Sequence, residues 1–245
     1  MHLLPANKMH AKLPGDNHEM VAARRRFLEA GYYRPFCDAI CSLITEILGG
    51  KSSPLLVDAG CGEGYYTQAI STALSAVCNT PVICGFDISK HAVKAAAGRS
   101  NALNLAVASC FNIPLPNACA DALLSVFSPI VPSEFARVVK PGGTLLLAVA
   151  SERHLWGLKS LLYETPYLNM PQQTEYAGFV FLERIPVRTC AQLTDRQLIS
   201  DLFAMTPYYW KTSVEGSERL HQAQRLETEL GFDLLLYRRE GACPA

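Results

Sequence analysis

Residues 57–66, Val57-Asp58-Ala59-Gly60-Cys61-Gly62-Glu63-Gly64-Tyr65-Tyr66, place two carboxylates and three alternating glycines in one short run. An apolar stretch, Pro54 to Val57, precedes it and a helix-like stretch, Tyr65 to Leu74, follows. A strand that turns tightly into a helix needs residues without a Cβ, because the backbone must bend and a ligand must come close. The N–H groups at the start of that helix suit a polar or anionic ligand group. A second apolar run, Pro81 to Phe86, ends in Asp87, 23 residues beyond Gly64, with Ile88 beside it. A carboxylate at the tip of a second strand can accept both hydroxyls of a ribose. Glycine turn and ribose acid together specify a nucleoside-containing cofactor. The glycines alone do not, since the dinucleotide fingerprint is G-x-G-x-x-G and the pattern here is Asp-x-Gly-x-Gly-x-Gly.

These groups need a parallel sheet to hold them. From residue 51 the chain alternates apolar β-type runs with helical ones: strands at 54–59, 81–86, 103–108, 121–127 and 144–150, and helices at 65–74, 90–97 and 132–139. Ligands in such sheets bind beyond the carboxyl ends of the strands. Ser109 and Cys110 follow the third strand, placed to support an adenine ring, and Ser128-Pro129 tops the fourth. A further helix is expected from near Glu152 to Tyr163, capped by Ser151, so that His154 in its first turn faces the cleft. A strand over 179–187, a helix from Asp195 to Met205 capped by Thr194, a last helix at about 215–230 and a strand from Phe232 to Arg238 complete the reading. Upstream, Asp16 and Glu19 form a capping-box pattern for a helix ending at Gly31, and Pro35 opens a second helix to Leu48. The expected division is an N-terminal helical segment, 1–50, and a sheet domain, 51–245.

The chain has 245 residues, 49% of them hydrophobic, enough for a sizeable core. Lys+Arg and Asp+Glu both number 22. Zero net charge argues against bulk electrostatic binding of nucleic acid, though not against a local patch. Residues 1–34 hold such a candidate, with Lys8, Lys12, Arg24, Arg25, Arg26 and Arg34 against three acids, and with His2, His10 and His18. It reads either as a solvated helix face or as a grip for RNA phosphates. Nine cysteines without a C-x-x-C pair imply a reducing, cytoplasmic setting with buried thiols; Cys37 and Cys41, four apart, suit packing better than a metal. No stretch is apolar enough for a membrane, and no metal is expected. Tyr208-Tyr209-Trp210-Lys211 has the composition of a base-stacking platform, and equally of a packed corner.

The Asp58–Gly64 pattern resembles motif I of the S-adenosylmethionine-dependent methyltransferases, and Arg137-Val138-Val139-Lys140-Pro141-Gly142-Gly143-Thr144-Leu145 resembles the turn into their fifth strand. The fold this implies is Rossmann-like α/β, a seven-stranded, mostly parallel sheet with an N-terminal helical extension. Closer still, Pro14-Gly15-Asp16, the run Arg24 to Tyr33, Asp58 to Thr67, Arg153-His154-Leu155 and Met205-Thr206-Pro207 resemble the bacterial 23S ribosomal RNA (guanine-N1)-methyltransferases. That resemblance implies methylation of a loop guanine in 23S rRNA, S-adenosyl-L-methionine as cofactor, and cofactor contacts at Tyr33, Gly62, Glu63 and His154. Family members usually begin with a zinc ribbon of three cysteines and one histidine. This chain starts, at Met1-His2-Leu3, just after the place where that module would end, so no structural zinc is expected.

The cofactor set expected is thus Tyr33, Asp58, Gly60, Gly62, Glu63, Asp87, Ile88, Ser109, Cys110 and His154, and the RNA set Arg24, Arg25, Arg26, Tyr208 and Trp210. Guanine N1 must lose a proton; no residue is a convincing base, His154 and Glu63 being weak candidates and loss to water the other route. A small-molecule methyltransferase and a non-catalytic relative of the same fold stand as alternatives, and a homodimer is compatible with the sequence.

Overall fold

The computed structural model describes residues 1, 3 and 15–241. Lys8, Lys12, His2 and His10 of the basic N-terminal stretch, and most of the irregular segment expected over 1–15, lie outside the described residues. Two helices, α1 (His18–Glu29) and α2 (Arg34–Leu48), lead into β1 (Leu55–Ala59), α3 (Tyr65–Ser75), β2 (Val82–Asp87), α4 (Lys90–Ala97) and β3 (Asn104–Val107). Then come β4 (Ala120–Val126), α5 (Pro132–Val138), β5 (Val139–Ala150) and α6 (Trp156–Leu162). The long strand β6 (Phe179–Leu193), α7 (Arg196–Ala204), a 3-10 turn (Pro207–Trp210), α8 (Val214–Gln222) and β7 (Leu226–Arg239) follow.

The seven strands form one sheet in the order β3-β2-β1-β4-β5-β7-β6. The first five are parallel, while β7 runs antiparallel to both β5 and β6. Successive side chains of a strand point to opposite faces. Leu56, Leu124 and Leu146 therefore enter one core layer with Phe27, Phe36, Ile40, Ile70 and Leu158 of the helices. Val57, Leu123, Leu145 and Leu147 enter the other, against Phe135 and Val138 of α5. The continuously apolar sequence of the central strands follows from burial on both faces.

Several boundaries depart from the sequence reading. Asn17, not Asp16, caps α1, its Oδ1 accepting the Met20 N–H at 2.9 Å. The Asp16 carboxylate instead pairs with Arg24, and its carbonyl accepts the Ser89 hydroxyl. Asp195 takes the cap of α7 that Thr194 was expected to supply. β5 begins at Val139, ahead of the Pro-Gly-Gly turn, where Val139 pairs with Ala120 across a register shift. Ser151 caps nothing: 151–155 form a turn whose last residue, Leu155, has φ 60°, and α6 starts only at Trp156. Finally, the helix expected over 215–230 stops at Gln222. Residues 226–230 alternate between inward and outward positions and pair with the second half of β6, which runs on to Leu193. The added strand partner outweighs the helix propensity of a Glu- and Leu-rich segment.

α6 lies almost on the backbone of β7. A Cβ added at Gly157 would sit 1.8 Å from the Glu227 carbonyl oxygen. Gly157→Ala, which in a free helix would stabilise by about 1 kcal/mol, is therefore expected to destabilise by roughly 1–3 kcal/mol through overpacking, measured as a lower urea midpoint at unchanged slope.

Candidate active site

A cleft of about 600 Å³ opens at the carboxyl ends of β1, β2 and β4. Its floor is the turn from β1 into α3. Gly60 and Gly62 both take left-handed φ, 90° and 54°, which side-chain-bearing residues rarely adopt. The Gly60 and Cys61 N–H groups both donate to the Phe86 carbonyl, at 2.8 and 2.9 Å, fastening the turn to β2. A Cβ at Gly60 would collide with Ser128 at 2.3 Å, whereas one at Gly62 would meet only Arg24 at 3.9 Å. Gly60 is thus required by packing against the top of β4. Gly62 leaves its backbone open to the cleft.

Asp58 and Asp87 border this turn. Asp58 is 1% exposed; its Oδ2 accepts the Thr67 hydroxyl at 2.6 Å and its Oδ1 has no partner among the described residues. Burial pushes its carboxyl up to about 7, against the lowering effect of Thr67. Asp87 accepts the Gly62 N–H at 3.0 Å and the Ser89 N–H at 2.8 Å, one on each oxygen, so each oxygen retains acceptor capacity toward the cleft. Burial raises its carboxyl too, and the two N–H groups oppose that. Ile88 lines the cleft beside it.

Glu63, also 1% exposed, is tied through Oε2 to Arg99 at 2.5 Å, leaving Oε1 without a partner among the described residues. Burial raises its carboxyl and Arg99 opposes the rise. On the opposite wall Tyr33 is buried, its ring meeting Phe232 at 4.9 Å and His154 at 6.3 Å. Burial, and then the nearby Lys159 ammonium, lower the His154 imidazole to about 3. It is neutral at ordinary pH, with Nδ1 unpartnered among the described residues. Lys159 is itself enclosed. Its ammonium donates to the Tyr167 carbonyl at 2.9 Å and the Asn169 amide oxygen at 2.6 Å, beneath the rings of Tyr167 and Tyr208.

The remaining expected residues are scattered by the fold. Ser109 and Cys110 are not among the residues lining the cleft. Arg24 lines it, held by Asp16 and by the Met205 carbonyl. Arg26 is clamped to Asp201 of α7 at 2.7 and 2.8 Å, and Arg25 pairs with Glu29. The three arginines therefore make no single face. Tyr208 and Trp210 line the mouth of the cleft, Trp210 with two-thirds of its surface free.

One residue had no signal in the sequence. Phe127, at the top of β4, has φ 52°, a strained conformation for an aromatic residue. Its ring lies 6.0 Å from and nearly parallel to the His154 ring, half-exposed in the cleft. Strain of this kind concentrates at working sites. The only available hint was its place between a strand end and Ser128-Pro129.

Residues 57–147 match the family model described as a methyltransferase domain. Solved structures share the fold. A protein provisionally named a type II methyltransferase, from Anaeromyxobacter dehalogenans, superposes with a TM-score of 0.58 at 16% identity, covering 83% of this chain and 97% of that one. The provisionally named methyltransferase in complex with the Haloferax volcanii methyltransferase activator Trm112 gives 0.54 at 20% identity over 92% and 99%. The [4+2]-cyclase SpnF gives 0.53 at 19% over 84% and 81%. The protein thus has the Rossmann-like fold of the S-adenosylmethionine-dependent methyltransferases, and the part of the chain from 57 to 147 is similar to a methyltransferase domain. Among curated proteins it is 29% identical to YxjB of Bacillus subtilis (strain 168), provisionally named a 23S rRNA (guanine-N1)-methyltransferase, over 89% of this chain and 79% of YxjB. It is 32% identical to the 23S rRNA (guanine(748)-N1)-methyltransferase of Streptomyces fradiae over 59% of this chain, and spans half of that relative's length. The family resemblance seen in the sequence stands.

The cleft fits S-adenosylmethionine on its own features: an open backbone at Gly62, acceptor capacity at Asp87, and three enclosed polar atoms, Asp58 Oδ1, Glu63 Oε1 and His154 Nδ1, without partners among the described residues. The pH behaviour of Asp58 tests the fit. Its folded value is raised, so the folded chain holds a proton that the unfolded chain releases from about 3.8 upward, and stability falls as pH rises to about 7. A cation in the cleft favours the ionised form. Cofactor affinity, measured by calorimetry, is expected to tighten as pH rises through about 7, and Asp58→Asn to flatten both dependences.

Proposed function

We propose that the protein methylates N1 of a guanine exposed in a loop of 23S rRNA. The observation that carries this is the composition of one cleft. The glycine turn and the carboxylates line it, and so do Phe127, Tyr208 and Trp210, which keep part of their surface exposed. Aromatic faces stack an unpaired base of any sequence, and the names of the curated relatives narrow the acceptor to guanine N1.

When bound, S-adenosylmethionine supplies an electrophilic methyl on a sulfonium. The chain's task is then alignment and exclusion of water. Asp87 takes the ribose hydroxyls, with Ile88 against the adenosine. Gly62 lets the backbone approach the methionine portion, Gly60 holds the turn against Ser128, and Tyr33, Glu63 and His154 hold the polar ends of that portion around Asp58. Arg24 closes the rim. The base enters from the side of Tyr208 and Trp210, unpaired or flipped so that N1 is free.

Neither candidate proton acceptor is built for deprotonation. Glu63 is committed to Arg99, and His154 is too weakly basic to keep a proton at neutral pH. Ser128, at the top of β4, donates its hydroxyl to the Ala59 carbonyl at 2.6 Å. None of these three groups is free to take the N1 proton, so its loss is assigned to water.

N1-methylation blocks the pairing edge. Primer extension on ribosomal RNA from a deletion strain is expected to read through one guanine at which the complemented strain stops. An unchanged pattern removes the RNA reading and leaves a small-molecule acceptor. Trp210→Ala is expected to raise the KM for RNA by roughly ten- to hundredfold, from a stacking loss of about 1–3 kcal/mol, with cofactor affinity unchanged.

A further inference from the structure

A second cavity, of about 690 Å³, lies across the β5–α6 connection from the cofactor cleft. Ala150 borders both. Ser151, Glu152 and Arg153 line the second cavity, and the next residues in the chain, His154 and Leu155, line the cleft. One short turn is thus a wall common to the two spaces.

Arg184 and Arg188 of β6 also line this cavity; their even separation along the strand favours one face, although Pro186 lies between them. Both reach Asp233 of β7, Arg184 at 2.6 Å and Arg188 at 2.5 Å, one on each carboxylate oxygen. Asp233 is 5% exposed, while the two arginine side chains remain 36% and 50% exposed. Two guanidiniums on one carboxylate leave a positive charge in excess. Donors are left over as well. A guanidinium has five; Arg184 uses two, on Asp233 and the Gln172 carbonyl, and Arg188 three, on Asp233 and the carbonyls of Phe232 and Val187. The rest of the lining is not basic. Arg153 is paired with Glu229 at 2.6 Å, and Glu152 adds another carboxylate. Such a surface suits one phosphate carrying a neutral, donor-bearing group better than it suits a continuous polyanion.

We propose that this cavity receives the nucleotide next to the methylated guanine, its phosphate on Arg184 and Arg188 and its sugar or base donors on Glu152 and Gln172. The inference rests on the RNA reading above. A base seated in the cleft carries its backbone over the common wall, and the adjoining phosphate then falls on the β6 side.

The alternative is that the arginines serve only to neutralise Asp233. Binding of an RNA hairpin carrying the target loop, followed over a salt series, separates the two. Asp233→Asn removes the buried charge and keeps both arginines, so the salt slope is expected to stay unchanged. In that background Arg184→Gln and Arg188→Gln are each expected to reduce the slope by about 0.7, the value for one contact to a single strand, and to raise the KM for RNA while cofactor affinity holds. Unchanged slopes in both, with wild-type protein methylating the hairpin, overturn this inference alone. Failure of wild-type protein to bind the hairpin overturns the RNA reading and this inference with it. A second measurement uses only the wild-type chain: a photoreactive nucleotide beside the target guanine is expected to crosslink to β6 or to 151–153, and adducts confined to other segments overturn the assignment.

Discussion

Two carboxylates held out of water at the ends of neighbouring strands are the constraint around which this molecule is arranged. Asp58 and Asp87 both incur a desolvation cost; the Thr67 hydroxyl opposes it at Asp58, and at Asp87 two backbone N–H groups and then the Arg24 guanidinium do. Asp87 is held by two backbone N–H groups, one of them from Gly62, so its position depends on the left-handed turn between β1 and α3. That turn depends on Ser128 lying directly against Gly60, which in turn requires β4 to sit beside β1. Strand order, glycine placement and acid placement are one linked requirement. What the site does with a ligand follows from acceptors left partly unfilled.

The first half of the fold was legible because its chemistry is local. Gly60, Gly62 and Gly64 mark positive φ, Asp87 ends a strand, and the alternation of β and α runs fixes a parallel sheet. The second half depended on partners. Residues 226–230 contain leucines and glutamates that suit a helix, and only β6 alongside makes them a strand. The 151–155 turn is held by distant groups: the Ser151 N–H donates to the Gly231 carbonyl, and the Asn169 side chain donates to the carbonyls of Ser151 and His154. No pattern within the turn announces them.

The site was partly legible for the same reason. Arg24, Arg25 and Arg26 are adjacent in sequence, but successive helical residues point about 100° apart. They accordingly reach three different places: the cleft, Glu29 and Asp201. Composition suggested a patch, and helical geometry dispersed it. Phe127 shows the opposite failure, since backbone strain leaves no trace in residue type. Tyr208 and Trp210 are visible in the sequence through composition alone, and both line the cleft.

The enclosed ammonium of Lys159 has an effect beyond its own contacts. Together with burial it holds His154 at about 3, so this imidazole carries no charge at any acidity a cell experiences. A side chain that elsewhere senses protons is reduced here to a fixed dipole, whose free nitrogen offers a lone pair and nothing else. The wall it belongs to keeps the same electrostatic character across that whole range of acidity.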